Sequence, residues 1–289
     1  MPNKQEKIDA WLHWSITNNC NLDCEYCYGT HKLNKILSIF KKPEFPKIDV
    51  SSLIKTLDNM DKIFLISFTG GGEPFLIPNL VEACAELAKK HYITVITNLT
   101  SPKIKEFAEK VNPDKVIRII ASCHIKELER LNLLDKYIEN FLILKQKGFD
   151  ILAYEVAYPA LVNEVEKYRK FFRKKGIELR FDPFKGKYKR KKYPDSYSNE
   201  KLGIFGLDLK EIKKDYQKNQ LCNAGYNAAV VYGNGDVKVC FKIKKKLGNI
   251  YKEIEFNKKL TICPLKFCGC PLKEYVPELF RKAVLESNQ

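Results

Sequence analysis

No run of eighteen or more apolar residues occurs in this sequence, so it offers no candidate for a membrane-spanning helix. The opening MPNKQEKIDA lacks the apolar core of a secretory leader, and the expected location is the cytoplasm. Low-complexity tracts are absent too, and the only internal repetition is an alternation of strand and helix patterns. Acidic residues are in the minority, with 35 Asp and Glu against 51 Lys and Arg, a formal charge of +16. That balance suits a nucleic acid, an anionic cofactor or an acidic peptide, and scattered lysines on solvated helix faces account for it equally well. The densest cluster, Lys185 to Lys192 (KGKYKRKK), interleaves Tyr188 and is followed by Tyr193. A patch of this kind can hold a phosphate backbone while a ring stacks on a base; a solvated loop is the preferred reading.

What is present is a foldable chain with too many thiols for ordinary use. Hydrophobic residues make up 45% of 289 positions, enough for one sizeable domain or one large and one small. Ten cysteines in a cytosolic protein favour metal ligation over disulfides, because that compartment keeps thiols reduced. Cys84 and Cys123 sit alone in apolar patterns and read as inert core thiols. The other eight fall into two groups, Cys20 to Cys27 and Cys222 to Cys270.

Residues 12–17 (LHWSIT) predict a short strand, and the first cysteine group follows at once. A helix over 49–60, capped by Asp49 or Ser51, leads to the continuous apolar run KIFLISF at 62–68, suited to a strand buried on both faces. Strands at 92–97, 115–121, 151–157 and 177–182 then alternate with helices at 79–90, 102–110, 125–147 and 161–175. Parallel strands need crossover helices, so the pattern predicts a parallel α/β sheet with its site at the carboxyl ends of the strands. Residues 185–220 read as a basic linker with one helix near 208–218. Beyond them, Val230 to Phe241 reads as a hairpin about an Asn-Gly turn, and a helix near 272–285 closes the chain.

The segment Cys20-Asn-Leu-Asp-Cys24-Glu-Tyr-Cys27 places three thiols on one tight loop. Three thiolates can hold three irons of an iron–sulfur cubane and leave the fourth open for chemistry. A zinc site is the competing reading, with His31 as the fourth ligand. The order of strand, C-x3-C-x-aromatic-C and βα repeat resembles the radical S-adenosylmethionine (SAM) superfamily. That resemblance implies a 4Fe-4S cluster on Cys20, Cys24 and Cys27, whose open iron chelates the methionine part of SAM, with Tyr26 near the adenine. Thr69-Gly70-Gly71-Gly72-Glu73-Pro74 resembles the family's Gly-Gly-Glu turn, which implies Gly71, Gly72 and Glu73 at the methionine amino group. Consecutive glycines allow close backbone approach, and a carboxylate beside them can pair with an ammonium. Asn98, after the third strand, resembles the family's Thr-Asn pair. Ser122 and Arg130 are further candidates for the ribose or the carboxylate, with capping or turn roles as the alternative for all three. His124 lies near the same rim and receives no role.

Cys222-x12-Gly-x4-Cys240 followed by Cys263-x4-Cys268-Gly-Cys270 resembles the auxiliary-cluster extensions called SPASM and twitch. Five cysteines imply one auxiliary 4Fe-4S cluster, on Cys222, Cys240, Cys268 and Cys270, with Cys263 as the competing ligand and a zinc ribbon as the alternative. The implied architecture is a partial (β/α)6 TIM-like barrel over 1–184, a linker over 185–220 and a hairpin-plus-helix extension over 221–289. The implied reaction is reductive cleavage of SAM to a 5′-deoxyadenosyl radical, then oxidation or cross-linking of a peptide or protein. The alternatives are a small-molecule substrate such as a sugar or nucleotide, RNA modification, or a non-catalytic Fe–S or zinc protein. An electron donor such as ferredoxin or flavodoxin is the expected partner.

Overall fold

A computed structural model describes residues 8–27, 47–208, 219–243, 245–266 and 277–287. The alternation predicted from the sequence is present. Strand β1 (Ala10–Ser15) leads through the cysteine loop to helix α1 (Val50–Asp58), whose first turn is capped by Asp49 accepting from the Ser52 N–H at 3.1 Å. Then follow β2 (Phe64–Thr69), α2 (Leu80–Leu87), β3 (Tyr92–Thr97), α3 (Lys103–Lys110) and β4 (Val116–Ser122). The predicted helix at 125–147 is two, α4 (Ile125–Arg130) and α5 (Leu134–Gln146). Strand β5 (Ile151–Val156), α6 (Val165–Lys174) and β6 (Leu179–Asp182) complete the repeat. All six residues of β2 are buried, as a strand covered on both faces requires.

The region read as a linker has structure of its own. Strands β7 (Gly186–Tyr188) and β8 (Lys191–Tyr193) form an antiparallel hairpin, and helix α7 (Asn199–Phe205) follows, capped by Ser198 and ended by Gly206 at φ 70°. Most of the helix expected near 208–218 lies outside the described residues. Beyond it come β9 (Leu221–Cys222), β10 (Ala228–Tyr232), β11 (Asp236–Lys238), β12 (Lys246–Asn249), β13 (Glu253–Ile254), β14 (Thr261–Ile262) and α8 (Pro277–Ser287). The predicted hairpin is β10–β11, and its second strand stops at Lys238, short of Phe241.

The hairpin does not stand apart from the preceding strands. Strand β10 pairs in parallel with β1, Trp14 opposite Val231, while β2 pairs with the other edge of β1. One ten-stranded sheet results, in the order β13-β12-β11-β10-β1-β2-β3-β4-β5-β6, parallel from β10 through β6. The expected boundary at residue 221 therefore does not divide the sheet. Side-chain bonds reinforce the seam: the Trp14 indole donates to the Tyr232 carbonyl at 3.2 Å, and Lys282 on α8 returns to Asp9 at 2.6 Å. Among the described residues, no helix is long and apolar enough to cross a membrane.

A chain ending at residue 218 strips β10 from β1 and exposes an unpaired edge in the middle of an apolar sheet. Its soluble yield should fall about tenfold or more, with the remainder eluting as aggregate on size exclusion. A monomeric truncation with the parent's circular dichroism per residue would contradict the continuous sheet.

Candidate active site

The cysteine loop, residues 16–27, has no regular hydrogen-bond ladder of its own, so its shape is set by groups at the ends of neighbouring strands. The glycine turn after β2 makes the first clamp. The Glu73 N–H donates to the Asn19 carbonyl at 2.8 Å, and a side chain at Gly72 would collide with that carbonyl. Only glycine allows this approach. Gly71 lies half-buried beside it. The end of β3 makes the second clamp. The Asn98 amide donates to Asn21 Oδ1 at 3.0 Å and faces Cys20 Sγ at 3.9 Å, and Asn21 donates to Thr100 Oγ1 at 2.8 Å. Helix α4 makes the third, where Glu127 accepts from the Asp23 N–H at 2.8 Å. The fourth involves Tyr158, after β5, whose hydroxyl donates to Glu25 at 2.8 Å.

Two buried carboxyls tie these clamps together. Glu73, 2% exposed, accepts from Phe75 N–H at 3.0 Å, Thr97 Oγ1 at 2.8 Å and Asn98 N–H at 2.7 Å. Glu155, 1% exposed, accepts from the Tyr26 hydroxyl, the Ile125 N–H and the Val156 N–H, each at 2.7 Å. Burial lifts both carboxyls to about 7, and their donors offset only part of that. Tyr26 is held further by His124 Nδ1 at 3.1 Å, and its ring meets Tyr158 at 5.1 Å. Burial pulls the His124 imidazole down to about 4, so it is neutral here.

None of the three cysteines is in a disulfide, and the charge of one is felt by the others. Burial pushes Cys20 up to about 11, with smaller contributions from the charges of Glu73 and Cys27. Cys24 is raised further, by burial and then by Cys20 and Cys27. Burial disfavours the thiolate form at Cys20 and Cys24, and a cationic centre bound among the sulfurs would offset that, so the donor set fits one. Among the described residues, no three His, Cys, Asp or Glu converge on one point as a single metal ion demands.

A family model for the radical SAM superfamily matches residues 14–172, more than half of the chain and the whole of this site. The chain belongs to the radical SAM superfamily. An uncharacterized protein of Methanocaldococcus jannaschii is 27% identical over 95% of this chain and its own full length. The tungsten-containing aldehyde ferredoxin oxidoreductase cofactor-modifying protein of Pyrococcus furiosus is 31% identical, over 34% of this chain and 27% of that protein. Among solved folds, anSMEcpe with bound AdoMet has a TM-score of 0.56 at 20% identity, covering 84% of this chain and 78% of that one. Streptococcus suis SuiB bound to precursor peptide SuiA has a TM-score of 0.52 at 15% identity, covering 87% and 65%.

Against this radical SAM frame, several expected site residues turn out to hold other residues. All side-chain hydrogen-bonding groups of Asn98 are engaged inside the protein, its Oδ1 accepting from Thr100 N–H and Oγ1 at 3.1 and 2.7 Å. The Arg130 guanidinium grips Glu127 with both arms, at 2.8 and 2.7 Å, and so supports the clamp on Asp23. Ser122 is half-buried at the end of β4. Glu127, Glu155 and Tyr158 were not apparent from the sequence, although a glutamate inside the apolar strand ILAYEV is a signal in itself. In the C-terminal group, Cys222 lies opposite Thr261 on the β9–β14 ladder, and the ladder continues through Cys263 N–H to the Gln220 carbonyl at 2.9 Å. Cys263 therefore shares a face with Cys222. The Cys240 sulfur accepts from Lys242 N–H at 3.4 Å and Ile243 N–H at 3.2 Å. Cys268, Cys270 and His31 lie outside the described residues.

The buried carboxyls give the site a pH dependence of defined sign. A carboxyl lifted from 4.5 to about 7 binds its proton more tightly in the folded state. Its contribution to stability is therefore complete below the unfolded value and is lost as pH rises through 7. The melting temperature of the parent, measured relative to Glu155→Gln, should fall between pH 5 and pH 8. A margin that stays constant or widens would show that the three donors keep Glu155 ionised throughout.

Proposed function

We propose that this radical SAM enzyme modifies a peptide or protein substrate and carries one auxiliary iron–sulfur cluster in its C-terminal part. The observation that carries the enzyme reading is the loop of three cysteines clamped to the ends of β2, β3 and β5 and to α4. When bound, a 4Fe-4S cluster with an open iron supplies one electron for cleavage of the SAM sulfonium and, through it, hydrogen abstraction from an unactivated C–H bond.

The protein's own groups bind and orient. Cys20, Cys24 and Cys27 hold the cluster, and the Asn98 amide directed at Cys20 Sγ supplies the kind of second-layer contact that tunes such centres. Gly71 and Gly72 bring the backbone close to the SAM methionine group. Glu73 acts there through its rigid hold on Thr97 and Asn98, with Ser122 at the adjoining rim. Tyr26 presents its ring from a position fixed by Glu155. Arg130 steadies the loop through Glu127.

The auxiliary centre draws on Cys222, Cys240 and two of Cys263, Cys268 and Cys270. Two backbone N–H groups, of Lys242 and Ile243, point at Cys240 Sγ, and the β9–β14 ladder sets Cys263 beside Cys222. The peptide reading draws support from folds that bind peptides, anSMEcpe with Cp18Cys peptide (20% identity, TM-score 0.54, 84% and 78% covered) and SuiB with SuiA. The match to a cofactor-modifying protein favours a second reading, a small-molecule substrate.

Anaerobically reconstituted protein with dithionite and SAM should release 5′-deoxyadenosine, and Cys24→Ala should lower that release to background. Cys240→Ala should retain the release while losing about four irons per chain. Cell extract should accelerate the reaction, and protease treatment of the extract should remove the acceleration. Failure of cluster-loaded protein to release the nucleoside would overturn the enzyme reading. An unchanged iron content in Cys240→Ala would overturn the auxiliary centre, and a protease-resistant accelerant would favour the small molecule.

A further inference from the structure

The stretch Lys185 to Lys192 contains six cations and no acid. It folds as the β7–β8 hairpin, with Lys189 and Arg190 as the two turn residues at φ 44° and 63°. A two-residue turn with positive φ at both positions is the one in which Asn-Gly is most at ease. Two long cations occupy it here against that local preference. On the ladder, Lys187 lies directly opposite Lys192, and like charges in that relation destabilise a strand pair. Lys187, Lys189, Arg190, Lys191 and Lys192 are all exposed, and none has a carboxylate partner among the described residues. Lys189 instead covers the Tyr188 ring at 5.4 Å. The chain thus holds a concentrated positive field at the expense of its own hairpin, and an anionic partner would relieve it.

The hairpin is firmly rooted at the site. Its inner face sets Tyr188 on Tyr158 at 5.0 Å and Tyr193 on Phe184 and Tyr197 at 5.7 and 4.8 Å. Phe184 packs so closely over Gly186 that a side chain there would collide with it. Tyr158 in turn meets Tyr26 at 5.1 Å and bonds Glu25, both on the cysteine loop. Two ring contacts therefore join the cationic hairpin to that loop.

The inward rings also decide which polyanion fits. Single-stranded nucleic acid is held by cations together with exposed aromatic platforms, whereas Tyr193 is buried and the half-buried Tyr188 ring is already engaged by Tyr158 and Lys189. The hairpin is a two-stranded sheet with no third strand among the described residues. An extended polypeptide can add to such an edge through its main chain while its acidic side chains meet Lys187 and Lys192. We propose that the β7–β8 hairpin is the docking arm for an acidic segment of the substrate polypeptide, an assignment that rests on the peptide-substrate reading above.

The test uses full-length, cluster-loaded protein and a fluorescent dodecapeptide of alternating Glu and Thr, with a Gln-Thr peptide as control. The Glu peptide should bind at low salt, with the Gln peptide, 0.5 M salt and the Lys187→Gln/Lys192→Gln variant each weakening affinity about tenfold or more. Lys187→Arg/Lys192→Arg should restore binding, and substrate-free 5′-deoxyadenosine release should be the same in all three proteins. Equal affinity for the two peptides, or no loss in the double Gln variant, would overturn the docking arm. So would tighter binding of tRNA lost in the same variant, or slower reduction by an acidic flavodoxin with peptide affinity intact. Peptide binding as expected together with a protease-resistant accelerant would keep the acidic-polypeptide surface and overturn its assignment to the substrate.

Discussion

Three neighbouring cysteines sit on a part-buried loop with no hydrogen-bond ladder of its own, and much of the surrounding structure answers that constraint. Each clamp on the loop comes from a different place: the glycine turn after β2, Asn98 and Thr100 after β3, Glu127 on α4, and Glu155 and Tyr158 on and after β5. A parallel sheet delivers all the strand ends to one rim, which is why the fold suits the task. Burial raises the energetic stakes, since it discourages the thiolates and also strengthens every bond that fixes the loop. Glu73 and Glu155 are central because each links the loop, directly or through Asn98, to a strand that cannot move without disturbing the sheet.

The parts legible in the sequence were those written in local pattern. KIFLISF announced a strand buried on both faces, the cysteine spacing announced the radical SAM superfamily, and the glycine run announced a close backbone approach. Long-range pairing was not legible. The adjacency of β10 and β1 joins residues more than two hundred positions apart, and no local periodicity encodes it. The hairpin at 186–193 escaped notice because a lysine run has little strand character and its turn lacks Asn-Gly. Arg130, a candidate for a ligand contact or for a capping or turn role, is paired with its i−3 neighbour, Glu127, on the same helix face. Asn98 was found by its position, but only the structure shows that it braces the loop.

The C-terminal part belongs to the same argument. Strand β10 lies beside β1, the strand that leads into the cysteine loop, and β11, which ends two residues before Cys240, pairs with β10; Cys222 and the backbone of Cys263 join the separate β9–β14 ladder. On the opposite edge, β6 runs into the cationic hairpin, and its aromatic root reaches back to Tyr26.

The central claim is that one iron of the N-terminal cluster has no protein thiolate and takes the methionine group of SAM. Mössbauer spectroscopy of protein reconstituted with 57Fe, before and after addition of SAM, tests it most directly. The account predicts that SAM raises the isomer shift of a single iron subsite while the others stay unchanged. A spectrum indifferent to SAM, or zinc in place of iron on Cys20, Cys24 and Cys27, would contradict it.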